Sequence, residues 1–467
     1  FRFDNQIATL SEKNRLLIVV QKFAEVDLHP TTVSNAEMGD LFEELIRKFA
    51  EASNETAGEH FTPRDAIRLM VDLLFAGDDQ ALVEKGVVRT VYDPTAGTGG
   101  MLSVAEEHLV GTPEHPGLNP DARLRLYGQE INDQSYAICK SDMIAKGQDA
   151  SNIQLGDTLA EDKFAGTTFD YCLSNPPYGV DWKASEKAIK DEVAQAGERS
   201  RFPGGLPSIS DGQMLFLQHL ATKMRPIHDG GGRAGIVLNG SPLFTGAAES
   251  GPSQIRRWLL ENDLVDAIVA LPTNMFYNTG IATYVWILDN AKPAERIGKV
   301  QLIDGTGFYS KMRKNLGNKS REITAADREQ IVKLYAACDE TEHSKIFPTD
   351  AFGYWTITVE RPLLDEHGKV VRDRKGNPKP DPKLRDTENV PFTYAGNDLG
   401  DDGRDATIKA YVGAEVLPHV PDAWVDDKKT KVGYEIPFTP HFYKYVPPRP
   451  LEEIDADLNQ LVGEILE

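Results

Sequence analysis

The sequence predicts an α/β fold: a mostly parallel sheet with helices on both faces, preceded by a helical segment and followed by a C-terminal extension with a terminal helix. Three observations carry this expectation. From Val87 onwards short apolar runs alternate with helical stretches, the pattern of a parallel sheet covered on both sides. Before residue 61 and again at the end of the chain, apolar residues recur at helical spacing. Each of the first three apolar runs ends in a carboxylate, at Asp93, Glu130 and Asp157, and the carboxyl ends of strands are where such sheets bind ligands.

Composition sets the outer limits. The chain has 467 residues, 40% hydrophobic and 26% charged, which suits a globular protein of about three domain-sized units. No apolar run is long enough to span a bilayer, and the opening FRFDNQIATL lacks a basic region followed by an apolar stretch. It also lacks an initiator Met and enters on a helix-like pattern, so it reads as a trimmed start. Cys139, Cys172 and Cys338 form no CxxC pair and are odd in number, which argues against a disulfide framework or a metal site and for a reducing cytoplasm. The formal charge is −21. Acidity of this size keeps a protein soluble; it also repels nucleic acid except at local basic patches, so that a partner would supply most of the grip. Both readings stand at this point.

Residues 1–60 read as a helical segment, the end of a longer domain. Ser11 is a candidate N-cap ahead of Leu16, Leu17, Val20 and Phe23, and Leu41, Leu45 and Phe49 mark another helix. Residues 61–304 form the expected catalytic domain. In its first helix Thr62 is the candidate N-cap, Pro63 takes the first helical position, Asp65 lies in the first turn, and Ile67, Met70, Val71 and Leu74 make the buried face. The strands that follow are VVRTVYD, LRLYGQE, NIQLGD, FDYCLSNPPY, RAGIVLNG, LVDAIVALP, TYVWILD and KVQLID, the last ending at Asp304. Residues 305–448 are a more polar extension, with KGNPKPDPKLR (Lys375 to Arg385) read as loop. Residues 449–467 place Leu451, Ile454, Leu458, Leu461 and Ile465 at alternating spacings of three and four, a narrow seam that packs locally or binds a partner helix.

Two constellations carry chemistry. In VYDPTAGTGGML a strand ends at Asp93 and a turn of Gly97, Thr98, Gly99 and Gly100 leads into a helix. Glycines there let a nucleotide-like ligand approach the backbone. The turn itself contains no GxGxxG, and the carboxylate of Asp93 suits a cationic ligand with an amino-acid end better than a diphosphate. Glu130, at the end of the next strand, is placed for ribose hydroxyls, and Asp157, at the end of the third, for an adenine amino group. Three acids scattered at strand ends would be the unremarkable alternative.

The second constellation is Asn175-Pro176-Pro177-Tyr178, directly after a buried strand. A rigid turn needs no such combination, whereas amine chemistry does. An exocyclic amine is a poor nucleophile because its lone pair is delocalised into the ring. The Asn175 side-chain oxygen and the Pro176 carbonyl can hold its two hydrogens and free that lone pair for attack on a methyl sulfonium. The prolines preorganise both acceptors. Tyr178 can stack on a flipped-out base.

On these motifs the chain resembles the modification (M) subunit of a type I restriction-modification system. The resemblance rests on GEHFTPR (Gly58 to Arg64), DPTAGTGG (Asp93 to Gly100), YGQE, GDTL, SNPPYG and the ending YEIPFTPHFYKYVPPRPLEEID. It implies a class I S-adenosylmethionine-dependent fold and a site-specific adenine-N6 methyltransferase acting on double-stranded DNA. A specificity (S) subunit reads the site, and a restriction (R) subunit joins the full complex. It further implies that Glu59, His60, Phe61, Thr62, Pro63 and Arg64 line the cofactor pocket with Thr98, Gly99, Gly100 and Glu130. The family usually has a longer helical domain at the N-terminus than this sequence carries.

Lesser signals stay open. Phe276, in PTNMFYNTG, is a second stacking aromatic or a core residue. The charged stretch after Tyr178, GVDWKASEKAIKDEVAQAGERSRFPGG, reads as a mobile substrate loop. Lys311, Arg313, Lys314, Lys319 and Arg321 form a solvated face or a phosphate contact. A cytosine-C5 methyltransferase is disfavoured because no cysteine follows a proline. Without a GxxxxGK[S/T] the chain is not the ATP-driven motor of such a system. The rival readings are a protein glutamine-N5 methyltransferase and a catalytically silent assembly subunit.

Overall fold

The computed structural model describes residues 3–27, 29, 32–33, 62–76, 78, 82–111, 116–277, 279–395 and 403–443, with 451, 454, 455, 457 and 458 beyond them. The candidates Leu41, Leu45, Phe49, Glu59, His60, Phe61, Leu461 and Ile465 lie outside the described residues.

All eight apolar runs are strands: β1 (Val88–Asp93), β2 (Arg123–Glu130), β3 (Ile153–Leu155), β4 (Tyr171–Ser174), β5 (Arg233–Asn239), β6 (Val265–Ala270), β7 (Thr283–Asp289) and β8 (Lys299–Asp304). After them come a hairpin of β9 (Ser310–Leu316) and β10 (Lys319–Glu322), then β11 (Ser344–Pro348). The main sheet has nine strands in the order β11-β8-β6-β7-β5-β4-β1-β2-β3. Pairing is parallel from β3 through β5 and between β6 and β8. It is antiparallel where β7 meets β5 and β6. Among its described residues, the segment between β6 and β7 contains no helix to carry the chain across the sheet, and β7 returns beside β6 in the opposite sense.

Burial on both faces explains the continuous apolar runs. Successive strand residues alternate between two cores. Val91, Tyr171, Leu173 and Val237 share one with the helices Arg64–Phe75, Gly100–Leu109 and Ala325–Ala337. Tyr92, Cys172, Ile236 and Leu238 share the other with Gln213–Lys223 and Gly251–Glu261. The sheet runs beyond the expected boundary at residue 304, because β11 pairs antiparallel with β8 through Pro348↔Lys299. Among the described residues, no helix is long and apolar enough to cross a membrane.

The C-terminal region has a small antiparallel sheet of β12 (Gly353–Glu360), β13 (Asp386–Pro391), β14 (Trp424–Val425) and β15 (Lys431–Tyr434), with its own core around Ile357, Val359, Val390 and Ile408. The fully buried Arg256 ties it to the segment that follows β5, donating to the carbonyls of Tyr434, Pro242 and Thr245. Between β12 and β13 the chain forms a closed β-junction that takes in the first part of the segment read as loop. Leu363, Val371 and Lys379, spaced eight apart, form a triangle of backbone hydrogen bonds (Val371 to Leu363, Lys379 to Val371, Leu363 to Lys379). Two arms leave it, each turned by Asp-x-x-Gly. Asp365 and Asp373 each accept two backbone N–H groups, and Gly368 and Gly376 take positive φ.

Ser11 is not a cap; it lies inside the helix Phe3–Glu12, and the next helix starts at Leu16. In the terminal segment Leu451, Ile454 and Leu458 are helical, with Leu451 and Leu458 exposed.

Candidate active site

The strand order places β1 between β2 and β4, with the chain leaving to opposite sides, so a crevice opens at the carboxyl ends of these strands. Every described member of the two constellations lies there. Asp93 ends β1 and is 1% exposed. Its Oδ1 accepts the backbone N–H of Thr95 at 2.9 Å and the Thr95 hydroxyl at 3.2 Å. Burial pushes its carboxyl up to about 7; the Thr95 hydrogen bonds pull the other way, and the nearby charge of Glu130 raises it further.

The glycine turn is built for close approach. Gly97 and Gly99 adopt φ of 55° and 88°, and a Cβ on Gly99 would sit 2.9 Å from Cys139 Sγ. The Gly97 N–H donates to Glu130 Oε2 at 2.8 Å, while Glu130 Oε1 accepts from the Asn132 N–H at 2.7 Å. Glu130 therefore fastens the turn that follows β1 to the one that follows β2. Thr98 is half-buried in the turn and Gly100 opens the Gly100–Leu109 helix.

Asp157 follows β3. Its Oδ1 accepts the Leu159 N–H, and its Oδ2 accepts the hydroxyl of Ser185. The neighbouring Thr158 hydroxyl donates to the Pro94 carbonyl at 2.6 Å, joining the ends of β3 and β1. Ser185 belongs to the charged stretch after Tyr178, which is a folded layer here. Trp182, Ile189 and Phe202 are buried in it, and Arg201 donates to the carbonyls of Thr158 and Leu159 and pairs with Glu192. Its high charge content hid three core positions.

Asn175, Pro176 and Tyr178 are buried directly after β4, with Pro177 half-buried. The Asn175 amide donates to the Thr62 hydroxyl at 2.7 Å, and its Oδ1 accepts the Tyr178 hydroxyl at 2.6 Å. Thr62 is thus no helix cap. Pro63 holds that position with extended backbone and the helix begins at Arg64, whose guanidinium lies 3.9 Å from Glu107. Burial holds the Tyr178 phenol far above its ordinary range, so it remains a neutral donor. Its ring meets Phe276 edge-on at 6.2 Å, and Phe276, 1% exposed, is a core residue.

Sequence reading passed over Thr95, Ser174 and Ser185. The Thr95 and Ser174 hydroxyls bond at 2.8 Å and link the β1 turn to the Asn-Pro-Pro-Tyr turn. A hydroxyl at the last position of β4, next to Asn175, was the available signal for Ser174. Nothing local marked the others.

A mostly parallel sheet with an antiparallel β7 beside β5, acids at the ends of its first three strands and Asn-Pro-Pro-Tyr after the fourth is the arrangement of the class I methyltransferase fold. The chain belongs to the N-6 DNA methylase family, whose model matches residues 33–351. It is similar to the methylase subunit of the type I restriction enzyme MjaIX from Methanocaldococcus jannaschii, 29% identical over 69% of this chain and 53% of that protein. It is also similar to the MpnII methylase subunit from Mycoplasma pneumoniae, 28% identical over 72% and 59%. The crystal structure of a type I restriction-modification methyltransferase subunit from Streptococcus thermophilus superposes with a TM-score of 0.57 at 28% identity, covering 73% of this chain and 65% of that one. The chain spans about half the length of the curated relatives it matches.

Proposed function

We propose that this chain methylates the N6 amino group of adenine in double-stranded DNA with S-adenosylmethionine, as the modification subunit of a type I restriction-modification complex. The observation that carries the reading is Asn175, held between Thr62 and Tyr178 at the acid-lined strand ends. Its amide is oriented so that the acceptor oxygen faces the Tyr178 hydroxyl. Asn175 Oδ1 and the Pro176 carbonyl take the two amine hydrogens, and the Tyr178 ring stacks on the base.

The donor set suits the cofactor. Asp93 and Glu130 are buried carboxylates flanking a glycine turn, and Asp157 lies beside them, a combination that favours a cationic amino-acid end, a ribose and an adenine over a diphosphate. Asp93, Gly97 to Gly100, Glu130 and Asp157 would hold it, with Glu59 to Arg64 closing the pocket by family resemblance. When bound, it supplies an electrophilic methyl group. The catalytic unit is residues 61–304 with the sheet continued to Pro348. Residues 449–467 bind the specificity subunit, which reads the target, and the restriction subunit joins the full complex.

The test is transfer of labelled methyl to duplex DNA by the chain with and without a specificity subunit from the same source. Adenine-N6 labelling that vanishes in Asn175→Ala is the expected result. Label on a protein glutamine instead of DNA supports the rival methyltransferase. Absence of transfer to any acceptor, with intact cofactor binding, supports a silent assembly subunit.

A further inference from the structure

We infer that the β9–β10 hairpin is a phosphate-binding arm that grips the duplex backbone beside the target nucleotide; this deepens, and rests on, the proposed DNA methylation. The five basic residues of this region divide into two groups. Lys319 and Arg321 are anchors. Lys319 is 4% exposed, and its ammonium reaches both Asp65 oxygens at 3.0 and 2.8 Å and the Met275 carbonyl at 3.1 Å. Arg321 donates to the Thr273 hydroxyl and lies 4.2 Å over the Tyr309 ring. Lys311, Arg313 and Lys314 are exposed on β9, and no described residue forms an ion pair with any of them. In a chain of net charge −21, three exposed cations with no ion-pair partner among the described residues give this hairpin a local positive charge that favours an extended polyanion.

The anchors also fix where that site lies. The hairpin turn is seated on the segment Thr273–Tyr277. The Asn318 N–H donates to the Tyr277 carbonyl at 2.7 Å and the Ser320 N–H to the Asn274 carbonyl at 3.1 Å. Gly317 has φ of 60°, and a Cβ there would fall 2.4 Å from the Tyr277 carbonyl oxygen, so the contact is backbone to backbone. Phe276 of the same segment meets Tyr178, which holds Asn175. The three cations are therefore carried on a rigid arm whose base is the wall of the candidate base site. An extended polyanion whose amine reaches Asn175 is the ligand that fits; phosphates flanking the target supply the negative charge.

The experiment measures binding of the full chain to a fluorescent duplex across a salt series, for wild type, for K311Q/R313Q/K314Q, and for K369Q/R374Q/K375Q on the distant β-junction. Each phosphate contact contributes about 0.9 to the slope of log K against log salt. The hairpin variant should lose about two to three in slope and roughly ten- to a hundredfold in affinity at about 0.1 M salt. The junction variant, equal in charge change, should bind like wild type, and all three should bind cofactor equally. Equal binding by the hairpin variant and wild type overturns the inference. So does an equal loss in the junction variant, which would make the effect one of net charge, and so does the absence of duplex binding by wild type at low salt. The underlying reading fails separately: hairpin-dependent DNA binding without adenine methylation rejects the methylation and keeps the arm, whereas methylation with hairpin-independent binding does the reverse.

Discussion

Tyr178 and Asn175 hold each other: the phenolic hydroxyl donates at 2.6 Å to the same side-chain oxygen assigned to the target amine. In the proposed mechanism the tyrosine therefore has two duties, its ring towards a base and its hydroxyl towards the acceptor. Tyr178→Phe should keep the ring and lose a hydrogen bond worth about 0.5–1.5 kcal/mol, a roughly two- to tenfold fall in single-turnover rate. Tyr178→Ala should add the loss of stacking, about 1–3 kcal/mol. If Tyr178→Phe were as inactive as an Asn175 variant, the stacking role would be wrong.

Asn175→Ala should abolish methyl transfer while leaving cofactor affinity within about twofold of wild type, because in the proposed mechanism Asn175 acts on the amine. Thr62→Val removes the acceptor of the Asn175 amide and should lower the rate by about two- to tenfold with little change in the cofactor Kd. A Thr62→Val enzyme with full activity would show that the contact does not orient Asn175.

Glu130 bridges the Gly97 and Asn132 N–H groups. Glu130→Ala should weaken cofactor binding by about 1.5–3 kcal/mol, typical of bonds to a charged group. Glu130→Gln keeps one acceptor and should lie between. Calorimetry giving equal affinities for all three proteins would place the ribose elsewhere.

Folding raises the Asp93 carboxyl from 3.8 to about 7, so between those values the folded state holds a proton that the unfolded state has released. Stability then falls as pH rises through that window, and the loss is complete above it. Asp93→Asn escapes this loss. In ligand-free melts its Tm relative to wild type should rise from about pH 4 to about pH 7 and level off above. A Tm difference independent of pH would show that Asp93 does not titrate with folding.

Leu451 and Leu458 are exposed on helical residues of the terminal segment. Each is worth about 1.5–3 kcal/mol when buried at an interface. The double variant Ile454→Asp with Leu458→Asp should fail to co-purify with the specificity subunit yet bind cofactor normally. A retained, active complex would leave the seam as a local packing surface.

The strands and the positions of the acids were legible because both follow from local pattern. Val91 and Tyr92 lie on opposite faces of a doubly covered sheet, so the run had to be apolar throughout. The orientation of β7 was not legible, since it depends on a connection too short and irregular for a crossover. The role of Thr62 was misread because a threonine ahead of Pro-Arg fits a cap equally well, and only Asn175, 113 positions away in the chain, reveals its partner. The Ser185–Asp157 contact was hidden for the same reason. The β-junction had left a trace, Asp-x-x-Gly at 365–368 and again at 373–376, that a search for short repeats would have found.

That junction closes on itself where it begins. The Asp381 N–H donates to the Arg361 carbonyl, and Pro362 bridges Pro380, so entry and exit lie side by side while β12 and β13 pair independently beneath them. A guest domain grafted at Gly368 or Gly376 would hang from a stem already pinched shut, and would not pull the flanking strands apart. The tips of the two arms are therefore natural ports for a fluorescent reporter that leaves the methyltransferase sheet undisturbed.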